Sequence, residues 1–235
     1  MGYSMGYTFD DREETTMHVV EFVGAKGGQG TSTLAVLYGL RCVQRGLRVH
    51  LLALDETELE LAVIAGASAY DTAKGWSSLT NLMTWGTDVP PGTEVVVADG
   101  TISETVQMYK HLPPPVRVLV VRNCFLALRA VFGPDRRFDH KIAVIEPGRA
   151  LTIGDMRSAI GDIDIELQWD PAIARAVDAG LLHIRAPRSI SGLDTLVPDT
   201  ERLCSVCESN PAEPKVGTCD NDRCKSAAQA EETTR

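Results

Sequence analysis

At 235 residues, 44% of them hydrophobic and 23% charged, the chain is long enough for one α/β core and a small appendage. A net charge of −9 argues against wholesale coating of nucleic acid, and no apolar run nears the roughly 20 residues that a membrane span needs. Residues 1–16 lack an apolar block with a small-residue cleavage site. They read as a polar, disordered N-terminal tail, and the expected location is cytoplasmic with no membrane anchor.

In chain order, short β-branched runs alternate with helical stretches, the pattern of a doubly wound, mostly parallel sheet covered on both faces. A first strand is expected over residues 18–23, then a glycine-rich turn and a helix over 32–45. On that helix Leu34, Leu37, Tyr38 and Cys42 recur at helical spacing, and Gly46 is its stop. Further strands are expected at 49–54, 95–98, 116–121, 141–145 and 163–167, with a short helix at 58–65. The best-signalled helix has Asp170 as N-cap, Pro171 at its first position and Gly180 behind it. After about Pro198 the composition turns to Cys, Pro, Asn and Ser. This divides the chain into a 1–16 tail, a main α/β domain at 17–200, a cysteine tail at 201–225 and a disordered end at 226–235.

Charge is uneven along that order. Residues 116–157 hold eight Lys or Arg against four acids, so this stretch is +4 and the remainder −13. Solvated helix ends and loops account for it more simply than a phosphate-backbone contact does.

The chemistry concentrates in the turn after the first strand, Gly24-Ala25-Lys26-Gly27-Gly28-Gln29-Gly30-Thr31-Ser32-Thr33. Three glycines in four residues let successive backbone N–H groups converge on one anion, and the following helix adds its positive end. The hydroxyl of Ser32 is placed to ligate magnesium beside bound phosphates.

This loop resembles that of the ParA/MinD family of deviant P-loop ATPases, which usually reads Lys-Gly-Gly-x-Gly-Lys-(Ser/Thr), and the resemblance covers most of residues 17–197. It implies that residues 26–33 (Lys26, Gly27, Gly28, Gln29, Gly30, Thr31, Ser32 and Thr33) bind ATP. Lys26 matches the signature lysine that reaches across a nucleotide-bound dimer, and Ser32 matches the magnesium ligand. The family's second lysine falls on Thr31, which carries no charge to neutralise a transferring phosphoryl group. The loop is most similar to pilus-positioning members of the TadZ/CpaE type, some of which share Gly-Thr-(Ser/Thr)-Thr.

The resemblance extends to two acids. Asp55 stands where the family carries the aspartate that orients attacking water, with Ala53 in place of its partner acid. Asp99 ends a Walker B-like strand and would hold magnesium through water. Gly100-Thr101 replaces the proline that often follows this aspartate. Glu146-Pro147 stands where many relatives present an asparagine to the base, which leaves base identity open.

Of six cysteines, Cys42 and Cys124 read as core residues. Cys204, Cys207, Cys219 and Cys224 form Cys-x2-Cys and Cys-x4-Cys pairs in a polar tail, a spacing that suits tetrahedral zinc. Disulfides are disfavoured beside a reductant-exposed P-loop. An iron–sulfur cluster is the minority alternative, because some ParA/MinD relatives carry Cys-x-x-Cys and deliver clusters.

Together these features imply an ATP-binding partition or positioning protein with weak or absent hydrolysis. It would act as a nucleotide-dependent homodimer with a protein or DNA partner. A non-hydrolysing pseudo-ATPase scaffold and an iron–sulfur carrier are the alternatives.

Overall fold

The computed structural model describes residues 17–53, 64–66, 74–99, 112–131, 137–184 and 188–198. Eight strands form one sheet. They are β1 (His18–Gly24), β2 (Val49–Leu52), β3 (Trp76–Ser78), β4 (Met83–Gly86), β5 (Val95–Asp99), β6 (Val116–Arg122), β7 (His140–Ile145) and β8 (Ile165–Gln168). Their spatial order is β3-β4-β2-β5-β1-β6-β7-β8. Only the β3–β4 pair is antiparallel. The central strand β1 pairs with β5 on one side and β6 on the other, both in parallel.

The strands are apolar on both faces because helices cover both, and the two faces separate with period two. On β1, Val20 and Phe22 enter a large core with Val118 and Val120 of β6 and Ile142 and Val144 of β7. Helix α1 (Thr31–Gln44) fills that face with Leu34, Leu37, Tyr38 and Cys42. Each fully buried side chain of this size contributes about 2 kcal/mol. Burial pushes the Cys42 thiol up to about 12, so it behaves as an apolar group. Helix α1 ends as its sequence signals. Gly46 takes a φ of 80°, while the N–H groups of Gly46 and Leu47 return to the carbonyls of Val43 and Cys42.

The opposite face carries helices α2 (Phe125–Val131) and α3 (Ile153–Ile160), packed over Leu119, Val121 and Ala143. Helix α4 (Pro171–Asp178) follows β8 and returns to the α1 face, where Ala176 joins the large core. A 3-10 segment, Arg188–Leu196, then straps α1. Asp194 pairs with Arg41 through both carboxylate oxygens, and Tyr38 Oη donates to Leu196 O at 3.1 Å.

Polar groups inside the sheet are matched across strands. Glu21, fully buried, accepts from Arg117 Nε at 2.9 Å, and the two are register partners on β1 and β6. His50, also buried, joins β2 to β4 through Thr84 Oγ1 at 2.9 Å and Gly86 O at 3.1 Å. Its burial lowers the pKa to about 4, so the ring is neutral at pH 7.

The expected order of strands and the two main helices is present. Strands β3 and β4 and helices α2 and α3 are additional to the sequence expectation, because each is too short, at three to eight residues, to establish a period. The expected helix at 58–65 lies mostly outside the described residues, as do the 1–16 tail and the 201–235 region. Among the described residues no helix is long and apolar enough to cross a membrane.

Candidate functional site: a phosphate cradle beside an apolar pocket

The chain leaves β1 at Gly24, turns through residues 25–30 and enters α1 at Thr31, placing the loop at the carboxyl end of the central strand. In an open parallel sheet this crevice, where the strand order changes direction, is where ligands gather. Gly28 and Gly30 adopt φ values of 75° and 85°, a left-handed conformation that suits glycine. Gly30 is the N-cap of α1. No side chain caps this helix and its first turn carries no acid, so its positive end is left for an anion.

Gly24 is required for a different reason. A Cβ there would lie 2.5 Å from Thr31 Oγ1 and 3.2 Å from Lys26 O. The Thr31 hydroxyl is thus folded against the end of β1. Lys26 is exposed, and its Nζ lies 3.4 Å from Gly27 O.

A cavity of about 420 Å³ opens above this turn. The full run from Lys26 to Thr33 lines it, together with Gly24, Ile64 and Asp99. Asp99 comes from β5, the neighbour of β1, and faces the same space as Ser32. A hydroxyl and a carboxylate are hard oxygen donors, and this donor set fits magnesium, which takes few protein ligands and completes its shell with phosphate and water. Asp55 and the four tail cysteines lie outside the described residues. Among the described residues no group of three or more His, Cys, Asp or Glu side chains could hold a metal ion.

A second pocket of about 240 Å³ adjoins the first and shares Gln29, Gly30 and Thr33 with it. Its walls are mainly apolar, with Leu34, Val144, Leu167, Trp169, Ile173 and Ile190 from five separate elements and one strand-end residue. Sequence reasoning missed this half. Its residues are spread over the chain and meet only through the parallel order of β6, β7 and β8.

The floor between the pockets is a polar network centred on Arg122, the last residue of β6. Its backbone N–H donates to Gln29 Oε1 at 2.9 Å and its Nη1 to Gly28 O at 3.1 Å. Its Nη2 donates to Glu146 Oε2 at 2.6 Å, an oxygen that also accepts from Arg149 Nε at 2.7 Å. Hydrogen bonding from Arg149, with help from Arg122, holds the Glu146 carboxyl below its usual range. Buried Asn123 clamps the next loop, donating to Glu146 O and Leu151 O and accepting from Glu146 N. Glu146 is therefore committed to arginines, and it does not line either cavity.

An eight-stranded, mostly parallel α/β sheet with a glycine loop between its central strand and first helix is also the fold of solved ParA and MinD structures. No protein-family model matches the chain, and no curated protein does. Solved structures match it at low identity. A ParA family ATPase from Chlorobium tepidum TLS superposes with a TM-score of 0.61 at 14% identity, over 80% of this chain and 100% of that one. The septum site-determining protein MinD from Pyrococcus horikoshii OT3, complexed with Mg-ADP, gives 0.59 at 11% identity, over 81% and 98%. A chain of the MinC:MinD cell division protein complex from Aquifex aeolicus gives 0.55 at 16% identity, over 76% and 93%. At these identities the likeness defines the fold.

Proposed function

We propose that the chain is a ParA/MinD-like partition or positioning protein that binds ATP with magnesium and turns it over slowly or not at all. The carrying observation is the pairing of a glycine-lined cavity of about 420 Å³ with an adjoining apolar pocket of about 240 Å³. A triphosphate and a nucleoside have these two characters. Backbone N–H groups of residues 27–33 and the open end of α1 would hold the phosphates. Trp169, Ile173 and Leu34 offer the base a dry, partly aromatic surface. Ser32 and Asp99 would hold magnesium, which supplies charge neutralisation on the phosphate oxygens.

Weak turnover follows from residue 31. A threonine hydroxyl folded on Gly24 carries no positive charge to meet the negative charge that shifts onto the phosphate oxygens as the phosphoryl group loosens. The same observation favours a second reading, a scaffold that binds nucleotide and hydrolyses none. Asp55 completes the proposed catalytic set by orienting water. Exposed Lys26 is assigned to a nucleotide-dependent homodimer, and Cys204, Cys207, Cys219 and Cys224 to one zinc that shapes a partner-binding tail.

The deciding experiment is an ATP–magnesium titration by calorimetry, run beside phosphate release, on the natural protein and on Thr31→Lys. Binding with background hydrolysis by the natural form, and tighter binding by Thr31→Lys, is expected. Slow release by Thr31→Lys would favour the catalytic reading, and none would favour the scaffold. No binding by either form would end the nucleotide reading. Elemental analysis of the same reduced preparations tests the tail, with about one zinc per chain expected for four thiolates.

A further inference from the structure

We propose that Arg122 is a positioning residue that fixes the phosphate loop in its anion-binding shape and supplies the permanent positive charge that Thr31 lacks. The inference rests on the nucleotide reading of the loop.

Two consecutive loop residues are tied to this one side chain and its backbone. Gln29, only 3% exposed, accepts from the Arg122 N–H, and Gly28 offers its carbonyl to Nη1. A peptide unit is planar and trans, so a Gly28 carbonyl aimed at Arg122 sends the Gln29 N–H the opposite way. The 420 Å³ cavity is lined by Gly28 and Gln29 but not by Arg122. The guanidinium therefore pulls the acceptor out of the cradle and leaves the donors facing it. A glycine loop with φ above zero at two positions has many alternative shapes, and an anion gains most from one that is already set.

The charge argument is independent of the shape argument. Arg122 and Arg149 share a single carboxylate oxygen of Glu146, so two guanidinium groups meet one negative charge and one positive charge is in surplus at the loop. A guanidinium stays ionised at any physiological pH. The plain alternative, a strand-end arginine paired for solubility, fits poorly. Its side chain is 22% exposed, its Nε is buried without a hydrogen-bond partner, and its Nη1 is spent on the loop rather than on a second carboxylate oxygen. An arginine placed for its own solvation would not leave an N–H unsatisfied.

The test uses the full chain and inorganic tripolyphosphate and Mg-ATP as probes, with calorimetry on natural protein, Arg122→Gln, Arg122→Lys, Thr31→Lys and the Arg122→Gln/Thr31→Lys pair. Arg122→Gln is expected to weaken both probes by about tenfold or more, and Arg122→Lys by only about threefold, because the charge survives and the fork is lost. Lysine at position 31 is expected to recover most of the Arg122→Gln loss, a rescue that a merely structural arginine would not allow. Thermal unfolding of each form reports folding. If Arg122→Gln does not fold, the lysine variant decides alone, and a tenfold loss there overturns the charge role. Equal binding by natural protein and Arg122→Gln overturns the inference while leaving the nucleotide reading intact. A loss that lysine 31 does not repair also overturns it. A natural protein that binds neither probe overturns the nucleotide reading itself, and this inference with it.

Discussion

Helix α3 begins with Thr152 and Asp155 exchanging backbone hydrogen bonds, so a hydroxyl and a carboxylate already sit on its positive end. Helix α1 begins behind a left-handed glycine, with no capping side chain and no acid in its first turn. Every helix start exposes four N–H groups that need acceptors. In α3 the chain supplies acceptors for two of them within four residues, and hydrogen bonding from Thr152 keeps the Asp155 carboxyl below its ordinary range. In α1 no side chain supplies one, which forgoes roughly a few tenths of a kcal/mol because glycine is itself an accepted N-cap. The difference separates a helix start closed by its own side chains from one left open, which the proposed function assigns to an anion.

The largest expected effect comes from closing the space behind the open start. Gly24→Ala places a methyl against Thr31 Oγ1 and Lys26 O. It should lower stability by about 2 kcal/mol in denaturant unfolding and disorganise phosphate binding. Gly24→Ala/Thr31→Ala should recover most of both, and a double variant no better than the single would show that the backbone rather than the hydroxyl is the obstacle.

Next comes converting α1 into a capped helix. Nothing lies within 4 Å of a Cβ added at Gly30, and aspartate is tolerated at its φ of 85° better than most residues. Gly30→Asp should cost more than about tenfold in ATP affinity and, because a side chain is strained at that φ, about 1 kcal/mol of unliganded stability. Undiminished ATP binding, measured by titration, would break the comparison between the two helix starts.

The smallest effect sharpens the other side. Thr152→Ala should lose about 1 kcal/mol of stability and leave ATP affinity unchanged, because Thr152 lines neither cavity. A parallel fall in affinity would mean that α3 and the loop are coupled.

How far the sequence reveals these features depends on how local they are. The loop, Gly46, Asp170 and Gly180 are legible because each is decided within a turn or two of chain. The alternating pattern of apolar runs likewise implies the parallel sheet. Arg122 is not legible, since nothing in Val120-Val121-Arg122-Asn123 says that the guanidinium will meet Gly28, ninety-four positions away in sequence. The resemblance places an asparagine after β7, where Glu146 stands, but the one that organises this rim is Asn123, after β6. The apolar pocket is hidden for the same reason, since Leu34 and Ile190 become neighbours only once the sheet order is set.

The strap formed by Arg188–Leu196 has a consequence for the timing of assembly. Ile190 lines the apolar pocket, and Asp194 and Leu196 fasten onto α1. During synthesis the glycine loop emerges before the strap, and the pocket beside it lacks a wall until Ile190 has been made. A nascent chain that ends before the strap therefore holds the glycine loop without its complete apolar neighbour. The strap closes that pocket and leads on towards the four cysteines of residues 204–224. Completion of the apolar pocket and synthesis of the cysteine segment are thus consecutive events along a single stretch of polypeptide.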